Sequence, residues 1–182
     1  MKKVIVIGIG IIVLVSAIIV YQYNTSSSSP PIPRGSIPDI PPVTVDCHIV
    51  NDILPDPACT PGAIDPRVTQ DNINSTICVP GYTKTVRPPV SVTEPQKLQS
   101  MKEYGFYDSP SNYEFDHFIP LELGGAPDDL KNLWPEPHSS SYDKDAVENY
   151  LHQQVCFGNM KLKTAQDLIS ANWYDYWLKA KN

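Results

Sequence analysis

Basic residues are in short supply. Fourteen Lys and Arg face twenty Asp and Glu, giving a net charge of −6 and a sequence pI near 5.1. Two of the fourteen are Lys2 and Lys3, so the chain beyond Tyr23 carries −8. That balance excludes a broad basic face of the kind that grips nucleic acid without regard to sequence. Glycine is sparse too, nine against nineteen prolines, and so many prolines exclude a long helical bundle. Hydrophobic residues are not lacking: at 41% they exclude a wholly disordered chain. No internal repeat is visible. The 182 residues predict one folded domain.

The one long apolar run is Val4 to Val20, seventeen residues behind Met1-Lys2-Lys3. A helix of that length spans roughly 26 Å, just short of a hydrocarbon core of about 30 Å. Tyr21 and Tyr23 follow where an interfacial aromatic belt would lie, and the lysines favour a cytoplasmic N-terminus. Residues 1–23 therefore read as an N-terminal signal anchor that meets the membrane through residues 4–20. The alternative is a signal peptide cleaved after Val15-Ser16-Ala17. The anchor is preferred because the apolar run continues through Ile18, Ile19 and Val20. Either reading exports the rest, as a membrane-anchored extracytoplasmic domain or a secreted one. Residues 24–46, rich in Ser and Pro, read as an extended linker, and residues 47–182 as the folded domain.

Export makes disulfides the default for Cys47, Cys59, Cys78 and Cys156. Of the three possible pairings, Cys47–Cys59 closes a local Pro/Asp-rich loop and Cys78–Cys156 ties the early region to a late helix. A zinc site on Cys47, His48 and Cys59 is the rival, but no C-x-x-C spacing accompanies it.

From Cys47 to Pro89 the chain is punctuated by Pro, Gly, Asn and Asp, which predicts loops with a strand at Ser75–Val79. Thr93 is expected to cap a helix, with Pro95 in its first turn and Leu98, Met101 and Tyr104 on one face. Alternation from Tyr113 to Leu123 predicts strand, broken into two arms by Pro120, with a turn at Gly124-Gly125. A Pro-rich loop runs through Pro135 and Pro137. A helix then starts near residues 139–141, with Val147, Tyr150, Leu151 and Val155 as its stripe and Gly158 as its stop. A last helix opens at Thr164, boxed by Asp167, with Leu168, Ile169, Trp173, Tyr176 and Trp177 for its buried face. The fold class is α+β.

The most informative stretch is Tyr113-Glu-Phe-Asp116-His117-Phe-Ile-Pro-Leu-Glu-Leu-Gly-Gly125, followed by Asn132-Leu133-Trp134. It resembles the HNH (His-Me finger) endonuclease family, in a bacterial or phage branch. The continuation through Lys144-Asp145, Glu148 and Leu151-His152 to Cys156-x-Gly158 is similar to that branch as well. The resemblance covers residues 113 to about 157. It implies a ββα-metal finger core, here with additional helices and a loop-rich, disulfide-stapled N-terminal part. It also implies metal-dependent hydrolysis of phosphodiester bonds in DNA or RNA, with nucleic acid as partner, DNA first, and no organic cofactor.

Chemistry supports the same assignment. Phosphodiester hydrolysis needs an activated water and a cation for the developing charge. A neutral imidazole takes the proton, and hard oxygen donors suit Mg²⁺, or another divalent cation such as Mn²⁺ or Zn²⁺. Carried over by position, His117 is the general base, Asp116 a metal ligand, and Asn132 a second ligand or the residue that orients the loop. The family's further His at the helix start is absent; Ser141 and Tyr142 stand near that place, and His138 is the possible substitute. Lys84 and Arg87 are the best candidates for phosphate contacts. Asp116 and His117 are adjacent, so a bend must bring them to one site.

Plainer readings compete. His117 could be a core histidine held by Asp116, Asn132 a turn residue, and His138, His152, Lys84 and Arg87 ordinary surface groups. Glu122 and Glu148 read as solvated or structural, Glu148 as an i,i+4 partner of Lys144. The rival function is a non-catalytic exported binding or structural module with a degenerate HNH fold, favoured by the missing His and the negative charge.

Overall fold

The computed structural model of the chain describes residues 46–181. The expected anchor at 1–23 and all of the linker but Asp46 lie outside the described residues. Among the described residues, no helix is long and apolar enough to cross a membrane. The fold is α+β, a two-stranded antiparallel sheet among helices.

Strand β1, Tyr113–His117, pairs antiparallel with β2, Leu133–Pro137, placing Asp116 opposite Trp134 and His117 opposite Leu133. Strand alternation was expected to run on to Leu123. It stops at His117 because Pro120 starts a 3-10 turn over Leu121–Leu123. β2 falls in the stretch expected to be a Pro-rich loop. Two prolines are tolerated there because each strand of a two-stranded ribbon has an outer edge that needs no N–H donor.

Among the described residues, the sheet is accompanied by four α-helices: α1 (Tyr82–Val86), α2 (Val90–Glu103), α3 (His138–Cys156) and α4 (Leu162–Lys181). α2 begins earlier than Thr93 because Pro89 stands at the N-cap, which leaves Pro95 inside the helix. Of its expected face, Met101 and Tyr104 are buried while Leu98 is exposed. On α3, Val147, Leu151 and Val155 are buried and Tyr150 is exposed. α4 starts at Leu162, whose N–H is capped by the Gln70 side-chain oxygen at 2.7 Å. Asp167 pairs with Lys163 instead of closing a box on Thr164.

No strand forms at Ser75–Val79. A 3-10 turn, Gln70–Ser75, leads into turns there. Asn72 accepts from the Thr69 N–H at 2.8 Å and donates to the Arg67 carbonyl at 2.8 Å. Such local bonds offer the backbone an alternative to a ladder.

The core gathers Trp134, Leu123, Leu151, Val155, Ile169 and Trp173, each essentially inaccessible. Both expected disulfides are formed, Cys47–Cys59 and Cys78–Cys156. The first consumes the two sulfurs that a zinc site with His48 would need. The second fastens the C-terminal end of α3 to the turn-rich segment before α1.

The loop between β1 and β2 is fixed by backbone contacts. Gly125 donates to the Pro120 carbonyl at 2.9 Å, Ala126 to the Ala63 carbonyl at 2.9 Å, and Gly62 to the Lys131 carbonyl at 2.9 Å. Gly124 sits at φ +72°, the left-handed region. A Cβ on Gly125 would lie 1.8 Å from the Ile119 carbonyl oxygen.

Candidate active site

β1 ends where the chemistry begins. Asp116 and His117 both line a cleft of about 90 Å³, with Thr83, Arg87, Pro120, Leu121, Glu122 and Glu148 as its other walls. The bend that adjacent strand residues need is supplied by the end of the strand itself.

His117 is 4% exposed, and its Nε2 lies 3.0 Å from the Pro127 carbonyl oxygen. A carbonyl only accepts, so Nε2 carries the proton and Nδ1 keeps a lone pair. Burial holds the ring's proton affinity below the ordinary value, and the Arg87 and Lys144 charges push the same way. The imidazole is therefore neutral near pH 7.

Asn132 holds the loop that brings Pro127 to His117. Its Oδ1 accepts from Ile119 N–H at 2.9 Å and Ala63 N–H at 3.3 Å; its Nδ2 donates to the Ile119 carbonyl at 2.9 Å and the Ala126 carbonyl at 3.0 Å. It is fully buried. All four positions are occupied by backbone of the loop and of Ala63, and Asn132 does not line the cleft.

Asp116 is held by a lysine that sequence reasoning had paired only with Glu148. Lys144 Nζ donates to Asp116 Oδ2 at 2.5 Å, to the His117 carbonyl at 3.1 Å and to Glu148 Oε1. Its side chain is 1% exposed. Burial opposes the charge on Asp116, but the ammonium outweighs it and keeps this carboxyl below its ordinary value. Burial also opposes the charge on Lys144, and the Asp116 carboxylate, foremost among its acidic neighbours, raises its proton affinity well above normal.

Glu136 went unread in the sequence because it lies between two prolines. It is 1% exposed, accepts from Ser140 Oγ at 3.1 Å and shares a hydrogen bond with Asp116. Burial, with the Asp116 charge behind it, pushes Glu136 up to about 9, so the neutral acid donates to the Asp116 carboxylate. Burial pushes Glu148 up to about 8 in spite of Lys144. Glu122 is half-buried: its Oε1 is buried without a hydrogen-bond partner, and burial raises its proton affinity. Its other oxygen lies 4.0 Å from His152 Nδ1.

The remaining expected residues divide. Arg87 reaches the cleft wall, whereas Lys84 is exposed on α1 and is not part of that wall. His138 is exposed at the first position of α3, outside the cleft, and its carbonyl accepts from Ser141 Oγ at 3.3 Å. His152 donates to the Ile77 carbonyl at 2.9 Å and lies 3.3 Å from Cys156 Sγ. Comparison with family models, with curated proteins and with solved structures finds no match to this chain.

Proposed function

We propose that this chain is an HNH-like endonuclease with a ββα-metal finger, hydrolysing phosphodiester bonds of DNA or RNA at the cleft of Asp116 and His117. The observation that carries the reading is the state of His117: Nε2–H is committed to the Pro127 carbonyl, and burial keeps the imidazole neutral on a cleft wall. A neutral ring with a spare nitrogen is what general-base activation of water requires.

The oxygen donors on the cleft wall fit a hard divalent cation such as Mg²⁺ or Mn²⁺. Asp116 and Glu148, which with the His117 carbonyl converge on one point, are the side chains that would hold it; Glu122 shares the wall with a buried unpartnered oxygen but does not converge with them on a single ion. This set replaces Asn132, whose donors and acceptors are used, and His138, which stands outside the cleft. A bound cation would supply positive charge to the developing phosphorane and leaving oxygen. His117 takes the proton from water, Arg87 binds a phosphate oxygen, and Glu136 with Ser140 holds Asp116 in place.

A second reading, the non-catalytic binding or structural module, is favoured by one observation: Lys144 already occupies Asp116 and Glu148. The test is plasmid nicking by the full chain with Mg²⁺, Mn²⁺ or EDTA. Metal-dependent nicking by wild type and not by His117→Ala supports the enzyme. Equal inactivity of both across metals and substrates supports the module. The proposal includes an extracytoplasmic location, with residues 4–20 in the membrane. Protease added to intact cells should then shave the domain from its linker, and complete protection would overturn the location.

A further inference from the structure

The ammonium of Lys144 has three N–H donors, and all three are spent on oxygens: a carboxylate from the end of β1, a backbone carbonyl from the next residue, and a carboxyl one helical turn along α3. Two carboxyl groups and a carbonyl converging from a strand end and a helix are the donor set of a hard divalent cation. Here they close on a nitrogen instead. The arrangement is more than an acidic cluster, since a buried cationic side chain fills its centre with every hydrogen placed. Nor does stability by itself account for it: taking a lysine and its partners out of water carries a large desolvation cost, and a packed apolar group often serves as well.

We propose that Lys144 is a built-in cation for this seat, and that it competes directly with any divalent metal for Asp116 and Glu148. The resting site is charge-compensated without metal, and Lys144 must withdraw before those two carboxyl groups can serve a divalent ion. The proposal deepens the nuclease reading and rests on it only for the choice of cation. In that reading Lys144 sets the metal threshold of the enzyme; in a non-catalytic module the same lysine makes the finger independent of metal.

Mn²⁺ binding by the full chain, read from the electron paramagnetic resonance signal of the free ion, tests this without nucleic acid. Lys144→Met should bind Mn²⁺ at least about tenfold tighter than wild type, since it leaves hard oxygen donors without their cation. Lys144→Arg, which keeps the charge, should stay close to wild type. Adding Asp116→Asn to Lys144→Met should abolish the gain. Equal affinity of wild type and Lys144→Met, or a gain that survives Asp116→Asn, would overturn the proposal.

Removal of a buried charge can unfold the domain, so melting is followed alongside. Mn²⁺ should raise the melting temperature of Lys144→Met more than that of wild type, or restore folding where it is lost, while NaCl of equal ionic strength should not. No selective rescue counts against the seat. Because none of these readouts is cleavage, an inactive wild type refutes the nuclease and leaves the cation seat to be judged on binding alone.

Discussion

The imidazole of His117 and the carbonyl of Pro127 are ten residues apart and joined by a 3.0 Å hydrogen bond. The bond selects the tautomer, and the loop that delivers the carbonyl is cinched by Asn132. His117→Ala should therefore remove general-base help, which typically costs about a hundred- to ten-thousandfold in rate. Mn²⁺ affinity should survive, because no ligand is lost. Single-turnover nicking beside metal titration separates the two.

Asn132 should behave as a structural residue. Asn132→Ala strands the buried Ile119 N–H, the half-buried Ala63 N–H and two buried carbonyls, and each buried group costs on the order of 1–3 kcal/mol. The urea midpoint should fall sharply, and Asn132→Asp should fare little better because a carboxylate cannot donate to the Ile119 and Ala126 carbonyls. A variant of normal stability that binds Mn²⁺ poorly would instead make Asn132 a ligand.

Stability should depend on pH through Glu136 and Glu148. Unfolded, these groups lose their protons near the ordinary value of 4.5; folded, they hold them to about 9 and about 8. Between those limits the folded state binds more protons, so stability falls as pH rises from 4.5 through the folded values. His117 works the other way, its contribution being lost as pH drops below 6.5. Glu136→Gln stays neutral throughout and should flatten the alkaline decline in melts taken from pH 5 to 9. An unchanged slope would show that Glu136 is ionised when folded.

Arg87 and Lys84 should separate. Arg87→Ala removes a cation from the cleft wall and should raise KM while reducing the salt slope of substrate binding by about one. Lys84→Ala should do neither, since Lys84 is not on that wall. Affinity measured across a salt series decides between them.

The Cys78–Cys156 bridge, 78 residues in sequence separation, should stabilise the domain by about 4 kcal/mol in the chain-entropy account. Cys47–Cys59, twelve apart, should contribute less. Denaturation of the paired Cys→Ser variants gives the order, and equal losses would contradict it.

What could be read from sequence was local. The two disulfides, the turn at Gly124-Gly125 and the Lys144–Glu148 pair each rest on spacing within one element or on parity of cysteines. β2 was missed because Pro135 and Pro137 mask a strand that only its partner reveals, and Glu136 was hidden with it. The Lys144–Asp116 contact spans 28 positions and has no periodic signature. Asn132 was legible as an Asn of interest, but its role depends on Ala63, 69 residues away, which no local pattern brings near.

Gly125 limits how this sequence can diverge. Any side chain there would begin 1.8 Å from the Ile119 oxygen and 2.9 Å from Asn132 Nδ2. The position thus has no conservative neighbours in mutational space: even a single methyl forces apart the Ile119–Asn132 clamp, and through it the carbonyl on which His117 depends. Leu98, exposed on α2, carries no comparable constraint. A lineage that lost Gly125 would have to rebuild the whole loop at once, so such losses should accompany insertions or deletions between residues 118 and 131 and not stand as isolated replacements.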